Sequence, residues 1–288
     1  MPFTRFKNSV LIFFEYINRI SLDAPLVVLA WQEIISNDLD VELAISQRLV
    51  FFLSVWLAYS GDRYLECFGI KSGKILFNRH LYFYNHQKLF MKIWLLILIV
   101  SLLVTTLSFI TIQIFYCLGL LSIVVINQLF SYYEPKHISK LLSKSQRTSI
   151  LLTLGSVFLP LILCQEFKVG NYISTILLLY LFWINCILNN YWERTGDGYR
   201  KIDYGLFQNT TTNWFYKIFL GLILMSAVFL LTKLNIKVIL PASILTTLYM
   251  VLLLYTSELN FECKRIYLDQ FYWLIPSSYI VLDYFYDL

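Results

Sequence analysis

LFMKIWLLILIVSLLVTTLSFI, residues 89–110, is followed after one residue by IQIFYCLGLLSIVVINQLFS, residues 112–131, and Lys92 is the only charge in either stretch. A helix crosses the bilayer core with ~20 consecutive, mostly apolar residues. Two such runs in succession predict two membrane-spanning helices. Extending the same ruler in both directions gives about nine candidate spans, near 22–37, 45–66, 89–110, 112–131, 148–165, 172–192, 214–232, 236–257 and 269–286. The first is short and is preceded by an interfacial amphipathic helix at 8–20; the second is the most polar. No Gly/Ser or Pro-rich linker separates them and no extramembrane stretch is long enough for a soluble core. The expected architecture is one all-α polytopic membrane domain covering residues 1–288.

The composition agrees. Of the residues, 58% are hydrophobic and 14% charged, with a mean hydropathy of +0.65. These values exclude a soluble globule, a disordered chain or a fibre. The 21 Tyr and 23 Phe exceed what interfacial belts ordinarily use, so some are expected to line a cavity. A net charge of +5 in a membrane protein reports loop bias, and no nucleic-acid partner is read from it. With Arg5 and Lys7 placed in the cytoplasm, the inside loops carry Arg63, Lys71, Lys74, Arg79 and Lys88, then Lys136, Lys140, Lys144 and Arg147, then Arg194, Arg200 and Lys201, then Lys264 and Arg265. The first outside turn, NDLDVE, is acidic. The five cysteines form no CxxC pair and read as buried filler. Glu15, Asn18 and Arg19 interrupt the N-terminal apolar stretch, which is therefore read as retained.

Function is sought in what breaks the apolar pattern, because ionisable groups at membrane depth are costly. The first break is Tyr59-Ser60-Gly61-Asp62-Arg63-Tyr64-Leu65-Glu66, at the cytoplasmic end of the second span. Asp62 and Glu66, at i and i+4, share a helical face. Two such carboxylates suit a hard divalent cation such as Mg²⁺; the alternative is a solvated helix end with local ion pairs. The second break places Asn185, Asn189, Glu193 and Asp197 four residues apart. That spacing drifts only ~40° per step and makes a polar column ~18 Å long if the helix continues to Asp197, although Gly196 and Gly198 favour an earlier stop. Its plainer reading is interhelical hydrogen-bond glue. Arg63, Arg79 and Arg194 are candidate phosphate ligands, joined by Lys74 and Tyr59 as substrate-binding candidates. His80 and His86, six apart, do not share a helical face. Ser21-Leu22-Asp23-Ala24-Pro25 reads as helix initiation, with Ser21 or Asp23 as N-cap and Asp23 also able to face the cytoplasmic site. Trp31 and Gln32 read as packing residues, with a cavity lining as the alternative. No phosphate-binding Gly loop, dinucleotide fingerprint, zinc-protease helix or serine elbow is present.

This pattern resembles the UbiA superfamily of intramembrane prenyltransferases. Their first motif, NDxxDxxxD, corresponds to Ala58 through Glu66, with the last two acids kept as Asp62 and Glu66 and the leading Asn-Asp pair replaced by Ala58 and Tyr59. Their Asp-rich second motif is replaced by Asn185, Asn189, Glu193 and Asp197, and the Asn185-x₃-Asn189-x₃-Glu193 spacing is similar to the N-x₃-S/T-x₃-E metal motif of class I terpene synthases. SLDAP, YxxDRxxE, a downstream RH and N-x₇-E together resemble a divergent bacterial branch. The resemblance implies nine helices around a central cavity in a bacterial inner membrane, with the N-terminus and active site cytoplasmic. It further implies a Mg²⁺-dependent enzyme acting on an isoprenyl diphosphate, with Asp62, Glu66, Asn185, Asn189, Glu193 and Asp197 as metal ligands. Of these, Asp62, Glu66, Asn185 and Glu193 would be catalytic. Prenyl transfer to a lipophilic acceptor is the leading reaction, and cyclisation of farnesyl or geranylgeranyl diphosphate the alternative. A transporter or membrane scaffold is the rival from another class.

Overall fold

The computed structural model describes residues 2–68, 78–133, 143–164, 169–197, 239–256, 259 and 261–286. Among these residues every regular element is a helix. In chain order they are α1 (Pro2–Arg19), α2 (Asp23–Asp38), α3 (Ile45–Phe68), α4 (Asn78–Asn85), α5 (Gln87–Ser108), α6 (Thr111–Tyr133), α7 (Lys144–Leu163), α8 (Val169–Asp197), α9 (Ile239–Tyr255) and α10 (Phe261–Tyr286). Among the described residues, four stretches are long and apolar enough to cross a membrane: Gln87–Ser108, Thr111–Phe130, Lys144–Leu163 and Tyr172–Trp192. The chain is thus an all-helical protein equipped for a bilayer. The helices α2 and α9, at 16 and 17 residues, fall short of the ~20 that a span takes, while α3 and α10 carry several charges. The expected span at 214–232 lies outside the described residues.

Two boundaries differ from the sequence reading. α8 continues through Gly196 to Asp197, so the backbone of the whole Asn185–Asp197 column is helical. α10 begins at Phe261, ahead of the expected 269, which puts Lys264 and Arg265 inside a helix and buries both. Gly196 does not stop a column already propagating in helical geometry, because extending a helix is far easier than starting one; Gly198 lies outside the described residues.

The described residues within 1–29 and 43–135 form one compact unit, and those within 30–42 and 136–288 a second; the chain first passes from one to the other within α2. In the first unit α3 packs against α4, α5 and α6, and α1 against α4. Its core gathers Trp56, Leu57, Cys67, Phe83 and Phe90, with Tyr64, Met91 and Trp94 against them. Phe83 meets Phe90 edge-on at 4.8 Å between centroids, one of the offset geometries that aromatic quadrupoles favour. On the outside, α5 and α6 expose apolar side chains such as Leu96, Leu103, Leu107 and Phe115. Contiguous apolar surface of this kind belongs in lipid. In the second unit α8 packs against α7, α9 and α10, and α9 against α10. Trp31, Phe182 and Tyr272 form a fully buried aromatic trio there, and Trp31 Nε1 donates to the Tyr272 carbonyl at 3.1 Å. This settles the role of Trp31 as packing. Gln32 is buried as well, its Nε2 3.5 Å from the Gly155 carbonyl.

Hydroxyls in the apolar helices bond to their own backbone one turn earlier: Thr105 to Ser101, Ser122 to Leu118, Thr153 to Ser149 and Thr246 to Ala242. Where no water is at hand, this is the nearest acceptor for a lone hydroxyl. Among the described residues the Arg63 guanidinium in the first unit is the most connected polar group, buried with Asn18, Ser21 and Asp23 around it. Its Nη1 donates to the Asn18 carbonyl and to Ser21 Oγ, and its Nη2 to Asp23 Oδ2 at 3.3 Å and Tyr59 Oη at 2.9 Å. Asn18 Nδ2 also donates to Asp23 Oδ2, at 3.0 Å.

Removing one member of a buried ion pair strands the other, at a cost of roughly 3–5 kcal/mol. Arg63→Ala is therefore expected to lower the unfolding free energy of the detergent-solubilised protein by about that amount. Arg63→Met with Asp23→Leu is expected to recover only part of it, because the Asn18 carbonyl and Ser21 hydroxyl stay buried. Denaturant-induced unfolding followed by tryptophan fluorescence checks both; full recovery in the double variant rules out the wider network.

Candidate functional site

The sequence-predicted residues fall in both units, and each group is built by its own helices. In the first unit they ride on the last turns of α3, whose unbroken course from Ile45 to Phe68 realises the i, i+4 relation of Asp62 and Glu66. Asp62 is half-buried. The side chain of Glu66 lies outside the described residues, as do Lys74 and the side chain of Arg79, whose backbone belongs to α4. Tyr59 sits one turn before Arg63, with the guanidinium carbon 4.3 Å from its ring centroid and its hydroxyl accepting from Arg63. The donors expected to grip phosphate at Arg63 are thus turned to the protein: both Nη atoms are bonded to the α1–α2 corner and Tyr59. Neither Ser21 nor Asp23 is seen acting as an N-cap. Ser21 adopts φ 62, a left-handed conformation that costs a non-glycine residue of order 1–2 kcal/mol, and α2 starts at Asp23 itself.

Next to Asp62 the α3 backbone receives two side-chain donors. Trp94 Nε1 on α5 reaches the Leu57 carbonyl at 3.1 Å, and Gln128 Nε2 on α6 reaches the Ala58 carbonyl at 2.9 Å. Gly61 leaves room for both, since a Cβ there would stand 3.5 Å from Gln128 Nε2 and 3.6 Å from Trp94 Nε1.

In the second unit the column on α8 meets an acid from α10. Asn185 and Asp269 are buried and Asn189 is half-buried. Asn189 Nδ2 donates to Asp269 Oδ1 at 2.7 Å and to Asn185 Oδ1 at 3.3 Å. Both amide hydrogens are thereby committed, and Asn189 Oδ1 is left buried with no hydrogen-bond partner among the described residues. One residue on, Asn190 Nδ2 donates to Ser145 Oγ in the first turn of α7, where Ser143 and Gln146 form a capping box. Glu193, Arg194 and Asp197 continue α8, their side chains outside the described residues.

Among the described residues no three His, Cys, Asp or Glu side chains gather in a metal-holding group. The oxygens of Asn185 and Asp269 gather instead on the Asn189 amide nitrogen, which leaves Asn189 Oδ1 as the buried oxygen able to take a ligand, with amides and a carboxylate as the local chemistry. Such hard oxygen donors fit Mg²⁺, which takes one or two protein carboxylates and fills its shell with water and phosphate oxygens. Sequence reading does not single out Asp269, although an acid beside Gln270 within an expected span is itself a signal. Comparison of the chain with protein-family models, with curated proteins and with solved structures finds no match.

An added methyl at Gly61 meets Trp94 and Gln128 at ordinary contact distance, whereas a longer side chain must displace them. Gly61→Ala is expected to stay within about 1 kcal/mol of the parent, and Gly61→Leu to lose about 1–3 kcal/mol. Equal stability of the two in the same unfolding assay would show that the α3–α5–α6 contact does not depend on the glycine.

Proposed function

We propose that the protein is a Mg²⁺-dependent intramembrane enzyme acting on an isoprenyl diphosphate, with UbiA-like prenyl transfer to a lipophilic acceptor as its reaction. The observation that carries this reading is the Asn185–Asn189–Asp269 cluster, in which a buried amide oxygen has no partner among the described residues while its nitrogen is tied to a carboxylate. A carbonyl stranded in this way costs about 1–3 kcal/mol, which an oxygen-seeking cation would offset. The reading assigns Asn185, Asn189, Glu193 and Asp197 to the metal through the α8 column, and Asp62 and Glu66 on α3 to the same kind of ligand. Arg79, Arg194 and Lys74 are assigned to phosphate oxygens. Mg²⁺, when bound there, would supply charge neutralisation for the departing diphosphate. In the reaction the allylic C–O bond breaks, its electron pair leaves with the diphosphate, and the acceptor supplies the pair for the new bond and then loses a proton. We further propose nine spans around a central cavity, in a bacterial inner membrane with the N-terminus cytoplasmic.

The terpene-synthase-like spacing of Asn185, Asn189 and Glu193 favours a second reading, terpene cyclisation, in which the chain's own double bonds capture the cation. A scaffold or transporter is supported by the interhelical glue formed by Asn190, Trp94 and Gln128. Purified protein incubated with farnesyl or geranylgeranyl diphosphate and Mg²⁺, without acceptor, separates the three. Turnover only after a lipophilic acceptor is added supports transfer, acceptor-free cyclic hydrocarbon or alcohol supports cyclisation, and no diphosphate release under either condition supports the non-enzymatic reading. Glu193→Gln and Asp62→Asn are each expected to reduce diphosphate release by about 10²-fold or more. If both variants release it at the parental rate, the metal assignment falls.

A further inference from the structure

An asparagine amide is a two-faced ligand, because its oxygen binds a cation and its nitrogen repels one. Which end faces a site is decided by the groups the other end meets. At Asn189 the nitrogen end meets the Asp269 carboxylate at 2.7 Å and the Asn185 carbonyl oxygen at 3.3 Å, two acceptors. Turning the amide over would set its oxygen against both, with no hydrogen between any of them. The orientation is therefore chemically enforced, and most strongly by the anion. Asp269 is held in turn by the register of α10, which packs along α8, and is itself buried.

We infer that Asp269 is a positioning residue that fixes the Asn189 amide so that Oδ1 is presented to a divalent cation. The inference rests on the proposed metal site but adds to it a residue 80 positions away along the chain. It explains how a column in which two amides precede the first acid can serve a hard cation. A carboxylate presents oxygen whichever way it turns, whereas an amide does so only when something holds its nitrogen. Acids that orient metal ligands from behind typically contribute 10–100-fold to metal affinity.

The test uses Mn²⁺ as a paramagnetic stand-in for Mg²⁺, titrated into the full-length protein in nanodiscs, with free Mn²⁺ read by its EPR signal. Asn189→Ala is expected to weaken Mn²⁺ binding, and Asp269→Asn to weaken it by about 10-fold or more with the unfolding midpoint little changed. Asp269→Glu, which retains an anionic acceptor, is expected to bind more tightly than Asp269→Asn. The exchange variant Asn189→Asp with Asp269→Asn is expected to regain most of the affinity, since a carboxylate at 189 needs no orienting. Parental affinity in Asp269→Asn, alongside weakened binding in Asn189→Ala, overturns the inference and leaves the metal site standing. Weakened binding that the exchange does not recover also overturns it, by showing that Asp269 acts otherwise than through Asn189. Wild-type protein that binds Mn²⁺ no better than Asn189→Ala removes the metal site and the inference together. Should Asp269→Asn fail to fold, the Asp269→Glu and exchange variants decide: parental affinity in both supports the inference, and loss in the exchange variant overturns it.

Discussion

The guanidinium of Arg63 is the group on which the first unit most depends, because it is a full charge withdrawn from solvent in a helix that needs apolar faces elsewhere. Taking such a charge out of water costs several kcal/mol even after relaxation, and the structure meets that cost with the Asp23 carboxylate, the Asn18 carbonyl, the Ser21 hydroxyl and the Tyr59 ring and hydroxyl. All but Tyr59 come from the short corner where α1 gives way to α2. The left-handed backbone at Ser21 is sustained at that corner because its hydroxyl is in use. The α1–α2 turn, the start of α2 and the polar end of α3 are therefore one arrangement. Trp56 reinforces it by donating to the Ile20 carbonyl at 2.9 Å.

The same accounting organises the rest of the apolar surface. A bilayer offers no water to an unpaired polar group, so side chains able to donate seek carbonyls. Trp94 and Gln128 find them on α3, Trp31 finds one on α10, and the serine and threonine hydroxyls fold back on their own helices. The three tryptophan and glutamine bonds join separate helices and the hydroxyl bonds do not. Glue thus accounts for some of the polar residues in these helices and leaves others with hydrogen-bonding capacity unmet among the described residues. Asn190, bonded to Ser145, belongs to the first group. Asn189, with an oxygen left over, belongs to the second.

Much of the helix layout was legible because it depends on a one-dimensional quantity, the length of apolar runs. The expected stretches at 45–66, 89–110 and 112–131 agree with α3, α5 and α6 to within a few residues. Errors arose where a terminus was inferred from charge. Lys264 and Arg265 read as loop residues by the positive-inside pattern, yet α10 includes and buries them; long basic side chains at a helix end keep their heads polar while their stems pack. Part of the candidate site was legible for the same reason as the helices, since Asn185 and Asn189 share a face by periodicity alone. Their partner was not, because Asp269 comes from a different helix and no single-chain spacing relates the two. Arg63 was legible as unusual but not as a brace. Its partners Asn18, Ser21 and Asp23 lie 40 to 45 positions upstream, where they read as an interruption of an apolar stretch and a helix start.

Amides have a physical advantage over acids in the buried part of the α8 column. Each carboxylate placed at membrane depth carries its own desolvation cost, and two on one helical face add their mutual repulsion. An amide avoids most of both. What it gives up is definiteness, since it offers a donor and an acceptor at nearly the same place. One buried anion on a neighbouring helix restores the definiteness for Asn189, and that amide in turn bonds Asn185. A single desolvated charge at Asp269 then orders two neutral side chains. The column gains an oriented oxygen at the expense of one buried acid, in a helix whose preceding turns bury the apolar Leu177, Leu178, Leu181 and Phe182.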